Sequence, residues 1–319
     1  MAGHAAGRDK TAERPVGSAL ERAGHFVWLT ARVLEQRRFA LHFLDGDADA
    51  VETALLAYHN DDDGYGHALD PDLRGPSSQP LHAAHALRLL DETGRCSGQR
   101  VERLCRYLTA VSTADGALPT VSPTPPGHPR APWFPATDRS PGSLLATGPV
   151  VGALHANGVW HAWLFRATDF CWAAVDALEK PHPGEALAAL TFLDSAPDRA
   201  RAEAAAARLG RLVRDQHLVA LDPERGGTRG TRDVDAPWEG ADEARFAYDF
   251  ARSPESLARR WFSDAEIDRS LDFLEHAQQP DGGWPLRRRP WAPAPRLEWR
   301  PILTIESLLT LRAYGRPVT

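Results

Sequence analysis

The chain has 319 residues, of which 43% are apolar and 25% are charged, a composition typical of a protein with a substantial core. Its 37 Lys and Arg against 43 Asp and Glu give a formal charge of −6, which excludes the net basic surface of a nucleic-acid-binding protein. Because no stretch approaches the roughly 18 consecutive apolar residues of a membrane-spanning helix, such a span is excluded as well.

The N-terminal segment and the cysteines indicate a cytoplasmic protein. Residues 1–15 are polar or small and lack the apolar segment of a signal peptide, so we expect a disordered tail. Cys96, Cys105 and Cys171 are odd in number and lack C-x-x-C spacing, which disfavours a disulfide framework or a zinc ribbon.

Helical periodicity recurs along the chain, whereas strand signals are nearly absent. Val101, Leu104, Cys105 and Leu108 recur at helical spacing opposite Arg103, which predicts an amphipathic helix. The same pattern predicts amphipathic helices near 48–58, 99–111, 161–178, 199–214 and 264–277. Segments that are apolar on most faces predict buried helices near 18–36, 80–91, 143–156, 185–194, 243–251 and 302–314.

Alternation of buried and amphipathic helices predicts an all-α fold with two layers. A ring in which outer helices cover inner helices satisfies this order. We therefore expect a single α/α toroid of five to six helical hairpins, formed by one domain over residues 16–319.

A turn motif repeats after the predicted outer helices. It occurs in His59–Gly66, in Gln278–Pro285, in shorter form in Asp115–Pro119 and in degenerate form over 222–227. The Asp-Gly pair permits a positive-φ turn, and we expect the following apolar residue to fill the gap between helical hairpins.

Two of these segments resemble a known family. Residues 278–284 resemble the Q-x(n)-G-x-W repeat of terpene cyclases and protein prenyltransferases, and residues 59–72 resemble a segment of short bacterial proteins that carry such repeats. The resemblance implies an α/α toroid and an isoprenoid-processing enzyme with an aromatic central cavity.

Four long connections, near 59–79, 119–142, 215–242 and 278–301, each lead from an outer helix to the next inner helix. In a toroid all four lie at one rim, so we expect the ligand to enter there. These connections carry aromatic residues that could line the entrance, including Trp133, Phe134, Trp238 and Trp299. Alternatively, such residues only fill gaps between helices.

The candidate acids are Asp63, Asp70 and Asp72. Neighbouring carboxylates raise the pKa of at least one member, which leaves a proton donor. Residues 60–63 resemble the D-x-D-D motif of protonating cyclases, with Asn60 in place of the first aspartate. The alternative is that Asp63 belongs to a solvated turn and that Asp70 and Asp72 fix their loop by hydrogen bonds.

His82 and His85 lie three residues apart at the start of a buried helix and therefore share a face. With Asp70 or Asp72 they could bind a metal ion or contact substrate, and hydrogen-bonded core histidines are the alternative. The sequence requires no cofactor, although Mg²⁺ or Zn²⁺ could be bound.

Residues near the last helix complete the predicted substrate site. Glu298, Trp299 and Arg300 directly precede the segment 302–314, so we expect them to face the cavity. Alternatively, Arg300 forms a structural ion pair with Glu298 or Glu306. The run 287–289 could bind a diphosphate through bidentate contacts, although the sequence favours a solvent-exposed loop.

The leading hypothesis is therefore an enzyme resembling terpene cyclases, which performs acid-initiated cyclisation or related chemistry on an apolar or diphosphate-bearing small molecule. A carbohydrate-active hydrolase or lyase and a non-catalytic binding toroid remain as alternatives. The oligomeric state is left open by the sequence.

Overall fold

The computed structural model describes residues 17–123, 127–134, 141–223 and 245–318. The predicted all-α class is confirmed, because these residues form helices and contain no strand beyond isolated bridges. The helices are α1 (Ala19–Thr30), α2 (Val33–Phe43), α3 (Ala48–Leu55), α4 (Pro80–Glu92), α5 (Gly98–Val111), α6 (Leu144–Ala156), α7 (Ala162–Asp176), α8 (Pro183–Ser195), α9 (Arg199–Asp215), α10 (Ala247–Phe250), α11 (Asp264–His276) and α12 (Pro293–Ala313).

Local sequence signals explain where several helices begin. The Ser263 hydroxyl accepts from the Glu266 backbone N–H at the start of α11, while the Glu266 carboxylate accepts from the Ser263 N–H. Proline opens α4, α8 and α12, where its missing N–H would have no helical acceptor. Within the described residues, no helix is long and apolar enough to cross a bilayer.

Three predicted helices differ from the structure. The segment 18–36 is not one helix, because Ala31 and Arg32 are extended and separate α1 from α2. The last helix begins at Pro293 and not near 302, since Pro301 is accommodated inside it although proline normally interrupts a helix. Of the segment 243–251, the described part forms only the short α10.

Helix contacts follow the predicted alternation of two layers. α4 packs on α6 and α6 on α8, while α3, α7, α9 and α11 pack on α2, α6, α8 and α12 respectively. The last helix contacts both α1 and α2, which brings the two ends of the described chain together. Closure into a toroid and the single-domain assignment stay predictions, and the tail 1–15 lies outside the described residues.

Three copies of the predicted turn share one hydrogen-bond pattern, which confirms the repeat. In 60–64, 113–117 and 279–283 the first N–H donates to the fifth carbonyl, over 3.0, 2.8 and 2.9 Å. The fourth N–H donates back to the first carbonyl, and the aspartate at the third position accepts from the fifth N–H. The next residue is buried in every copy: Tyr65, Leu118 and Trp284. The degenerate copy lies mostly outside the described residues.

Ion pairs link α2, α4 and α12. Arg38 of α2 donates to Glu92 of α4 over 2.7 Å. Arg88 of α4 and Arg252, which follows α10, both pair with Glu306 of α12. Burial alone would raise the pKa of Glu306, but Arg88, Arg252 and Arg38 outweigh it and lower the pKa to about 2. The space between these helices is therefore charged and not uniformly apolar.

Candidate functional site

Three of the long connections meet in one place. The Arg74 N–H donates to the Pro129 carbonyl over 3.0 Å, and the Ala131 N–H donates to the Asp72 carbonyl over 2.8 Å. The Trp291 indole N–H reaches the Asp72 carboxylate over 2.8 Å. The predicted convergence is thus confirmed for the connections after α3, α5 and α11, while most of the fourth lies outside the described residues.

Asp72 is the centre of this meeting point. Its buried carboxylate accepts from Arg288 through one oxygen and from Trp291 through the other. Burial, followed by the charge of Asp70, raises the pKa of Asp72 to about 6, although Arg288, Trp291 and Trp299 act in the opposite direction. Asp72 can therefore hold a proton at a pH where an exposed aspartate cannot.

Asp70 lies beside Asp72 and is half-buried. Its Oδ1 accepts from the Asp72 backbone N–H over 2.9 Å. Burial raises the pKa of Asp70, and the hydrogen bond from Asp72 and the charge of Arg288 oppose that shift. Both oxygens of Asp72 already accept hydrogen bonds, whereas one oxygen of Asp70 does. Among the described residues, Asp70 is therefore the member with a carboxylate oxygen available to a ligand, and the two groups titrate as a coupled pair.

Aromatic rings lie against the arginine that pairs with Asp72. The Arg288 guanidinium lies over the rings of Trp133, at 4.8 Å, and Trp299, at 5.5 Å. Phe134 lies beside Trp133 with ring centroids 6.3 Å apart. The sequence-predicted residues Asp70, Asp72, Trp133, Phe134 and Trp299 therefore come together. We call this set, with Arg288 and Trp291, the acid cluster. Trp238 lies outside the described residues.

The sequence indicated Arg288 only as part of a run that could bind a diphosphate, and it did not predict that Arg288 and Trp291 contact Asp72. The run 287–289 is not a solvated loop throughout, because Arg288 is buried against Asp72 and Arg287 pairs with Asp249 over 2.8 Å. Only Arg289 is exposed. No local pattern distinguishes these three arginines, since the carboxylates that separate them come from other parts of the chain.

Glu298 lies at the edge of the acid cluster. It pairs with Arg74 over 2.5 Å and lies 3.8 Å from Arg32. Like Trp299, it belongs to the second turn of α12, so the prediction that it directly precedes the helix is wrong. Glu298 thereby links α12 to the long loop after α3 and to the start of α2.

Asp63 and Arg300 have other surroundings. Asp63 faces α5, where it lies 3.4 Å from Arg103 and 3.8 Å from Arg106. Arg300 lies within α12, makes a bidentate contact with Asp281 and covers the ring of Phe26 at 4.6 Å. Both residues therefore brace copies of the repeated turn, and neither contacts the acid cluster.

The two histidines are buried next to the acid cluster. His82 Nδ1 is 3.2 Å from the Tyr65 carbonyl, and His85 Nε2 is 3.2 Å from Arg88. Burial lowers the pKa of His82 to about 4 and lowers that of His85 as well, so both are neutral near pH 7. Across the described ranges, no group of three His, Cys, Asp or Glu side chains is placed to hold a metal ion.

A small cavity lies between α10, α11 and α12. Its volume is about 50 Å³, and its lining includes Asp249, Arg252, Arg287, Glu306 and Trp284. Charged groups form much of this lining. The cavity can accept a polar group of the size of a water molecule or slightly larger.

The fold is shared with a known structure. The chain aligns with the crystal structure of a protein from Actinoplanes with a TM-score of 0.54 and 19% identity, over 93% of this chain and 89% of that chain. At this identity the similarity concerns the fold alone. No protein-family model and no curated protein matches the sequence.

Proposed function

We propose that the helices close into an α/α toroid and that the protein is an isoprenoid-processing enzyme that starts its reaction by protonating the substrate. The observation that carries this proposal is the Asp70–Asp72 pair, in which Asp72 pairs with Arg288 and Arg288 lies against the rings of Trp133 and Trp299. The resemblance of the repeated turn to the terpene-cyclase repeat supports the same class of reaction.

Protonating an alkene requires a carboxylic acid that is shielded from water and still protonated. The Asp70–Asp72 pair meets this requirement because burial raises the pKa of both carboxyl groups and the charge of Asp70 raises that of Asp72 further. The proton passes from Asp70 to a substrate carbon, and the resulting carbocation lies against indole rings. The cyclised cation, or the water that adds to it, then returns a proton to the Asp70 carboxylate, which yields the neutral product and restores the acid. This step needs no metal ion.

The arginines near the acid cluster are paired with carboxylates, which favours a substrate whose reacting group is uncharged. Arg288 pairs with Asp72, Arg74 with Glu298, and Arg32 with Glu35. A diphosphate clamp requires arginines whose donors face the ligand, and these three are engaged by carboxylates. We therefore place protonation of a double bond ahead of ionisation of a diphosphate.

A second candidate is a carbohydrate-active hydrolase or lyase. The Asp70–Asp72 pair and the nearby indole rings of Trp133 and Trp299 suit this chemistry as well. Such an enzyme also uses a carboxylic acid as proton donor, and indole rings stack on sugars as well as on isoprenoids.

Product formation distinguishes these candidates. The protein is incubated with isoprenoid hydrocarbons, alcohols and diphosphates of increasing length, and in parallel with a panel of oligosaccharides, and products are identified by mass spectrometry. We expect cyclised or hydrated isoprenoids, loss of product in Asp70→Asn, and retained product in the matched control Asp63→Asn. Products from oligosaccharides alone would establish the second candidate, and no isoprenoid product at any length would refute the first.

A further inference from the structure

Four large apolar side chains lie exposed on one part of the surface. Leu29 is 70% exposed, Val33 58% and Leu297 60%, and Trp28 is 44% exposed beside them. Isolated exposed apolar residues are ordinary, but a contiguous group of large ones indicates an interaction surface. We call these four residues the apolar corner.

Contacts between α1, α2 and α12 bring the four side chains together. Leu297 lies one turn before Arg300 on the same helix face, and Arg300 covers the ring of Phe26 in α1. Glu298 lies 3.8 Å from Arg32, which directly precedes Val33. Leu297 is therefore next to the C-terminal end of α1 and the beginning of α2.

Exposed arginines flank the apolar corner. Arg37 lies one turn after Val33 on α2, and Arg296 directly precedes Leu297. Among the described residues, neither has a carboxylate partner. The chain as a whole carries a formal charge of −6, so this local positive charge contrasts with the overall balance.

We propose that the apolar corner docks on an anionic lipid surface, with Trp28, Leu29, Val33 and Leu297 entering the interface and Arg37 and Arg296 contacting lipid phosphates. Apolar side chains together with flanking arginines are the combination that binds such a surface without spanning it. A second copy of the chain fits less well, because a two-fold contact would bring the arginines of one copy against those of the other.

The apolar corner lies next to the acid cluster, so docking would bring that cluster close to the lipid surface. Leu297 precedes Glu298 and Trp299, which lie at the edge of that cluster and within it. A molecule dissolved in the lipid would thus leave the bilayer next to the acid pair. The docking itself does not depend on the proposed reaction, and its test requires no substrate.

Co-sedimentation with vesicles tests the proposal. The protein is mixed with phosphatidylcholine vesicles with and without phosphatidylglycerol, and the partition coefficient is measured for the wild type, Leu29→Glu, the double variant Arg37→Gln/Arg296→Gln, and Phe165→Glu. Phe165 is a matched control, since it is 58% exposed on α7. Circular dichroism and the melting temperature verify that each variant is folded.

We expect the wild type to bind anionic vesicles more strongly than neutral ones. Leu29→Glu should weaken binding about tenfold or more, since it removes a leucine side chain that docking would bury in the lipid interface. The loss of each arginine should cost about fivefold, and Phe165→Glu should bind as the wild type does. Absence of binding, equal binding to both vesicle types, or equal losses in Leu29→Glu and Phe165→Glu would overturn the proposal. A dimer in light scattering that Leu29→Glu dissociates would assign the surface to a second copy instead.

Discussion

Asp63 and Gly282 occupy the same position in two copies of one turn, and both adopt positive φ, 65° and 92° respectively. Gly116 takes this position in the third copy, with φ 86°. Asp63 therefore stands where the other copies have glycine, and its conformation follows from the turn. Asp63 is therefore a residue of the turn, and it does not reach the acid cluster.

The shared turn predicts unequal effects of substitution. Asp63→Gly should change the free energy of unfolding by at most about 1 kcal/mol, because relief of the positive φ offsets the loss of two surface ion pairs. Gly282→Ala should cost about 2 kcal/mol or more, since a Cβ there would lie 2.1 Å from the Arg22 carbonyl oxygen. Urea denaturation measures both.

Gly315→Ala is the control for Gly282→Ala. Gly315 also has a positive φ, 67°, but no atom lies within 4 Å of an added Cβ. Gly315→Ala should therefore lower the free energy of unfolding only by the conformational cost of a positive φ, about 1–2 kcal/mol. If Gly282→Ala and Gly315→Ala lower the free energy of unfolding equally, contact with the Arg22 carbonyl does not contribute to the cost of Gly282→Ala.

Removing the buried partner of Asp72 should destabilise the protein in a pH-dependent way. Arg288→Met leaves the Asp72 carboxylate buried without its cation, which should cost about 3 kcal/mol near pH 8. Because the pKa of Asp72 is raised to about 6, Asp72 is protonated at pH 5 and the loss should shrink there. Denaturant unfolding at the two pH values measures it. The exposed neighbour variant Arg289→Met should have no effect, and a loss independent of pH would contradict the pairing.

The ion pairs of Glu306 predict a loss of stability in acid. The pKa of Glu306 is lowered from 4.5 to about 2, so its ionised form stabilises the fold above pH 4.5, and this contribution disappears as the pH falls toward 2. Glu306→Gln should therefore be less stable than the wild type by about 2–3 kcal/mol at pH 7. The difference should shrink between pH 4.5 and pH 2, and a constant difference across that range would refute the assignment.

The helices were predictable from sequence because helical periodicity is local. The amphipathic segment expected over 199–214 is α9 (Arg199–Asp215), and the one expected over 264–277 is α11 (Asp264–His276). The start of α12 was not predictable, because Pro301 normally marks a helix boundary. Because the helix was predicted to begin after Arg300, the sequence made Arg300 a candidate substrate contact. In the structure Arg300 lies within α12 and supports a turn.

The acid cluster was predictable only in part. Asp70, Asp72, Trp133 and Phe134 could be identified because they lie in long connections that we expected to meet at one rim. Trp299 was identified on the same ground, although it lies in α12. The pairing of Asp72 with Arg288 could not, because the two residues are far apart in sequence and Arg288 lies between two other arginines. Only the packing of the connections after α3 and α11 selects which arginine is buried.

Direct titration of the carboxyl groups by NMR tests the central claim, that the Asp70–Asp72 pair retains a proton at unusually high pH. Spectra of protein with ¹³C-labelled aspartate are recorded as a function of pH for the wild type, Asp70→Asn and Asp72→Asn, which assign the two signals. The account predicts that the pair titrates with an apparent pKa near 6 or above, and that each substitution lowers the pKa of the remaining member. Titration of both aspartates at or below their ordinary value near 3.8 would contradict it.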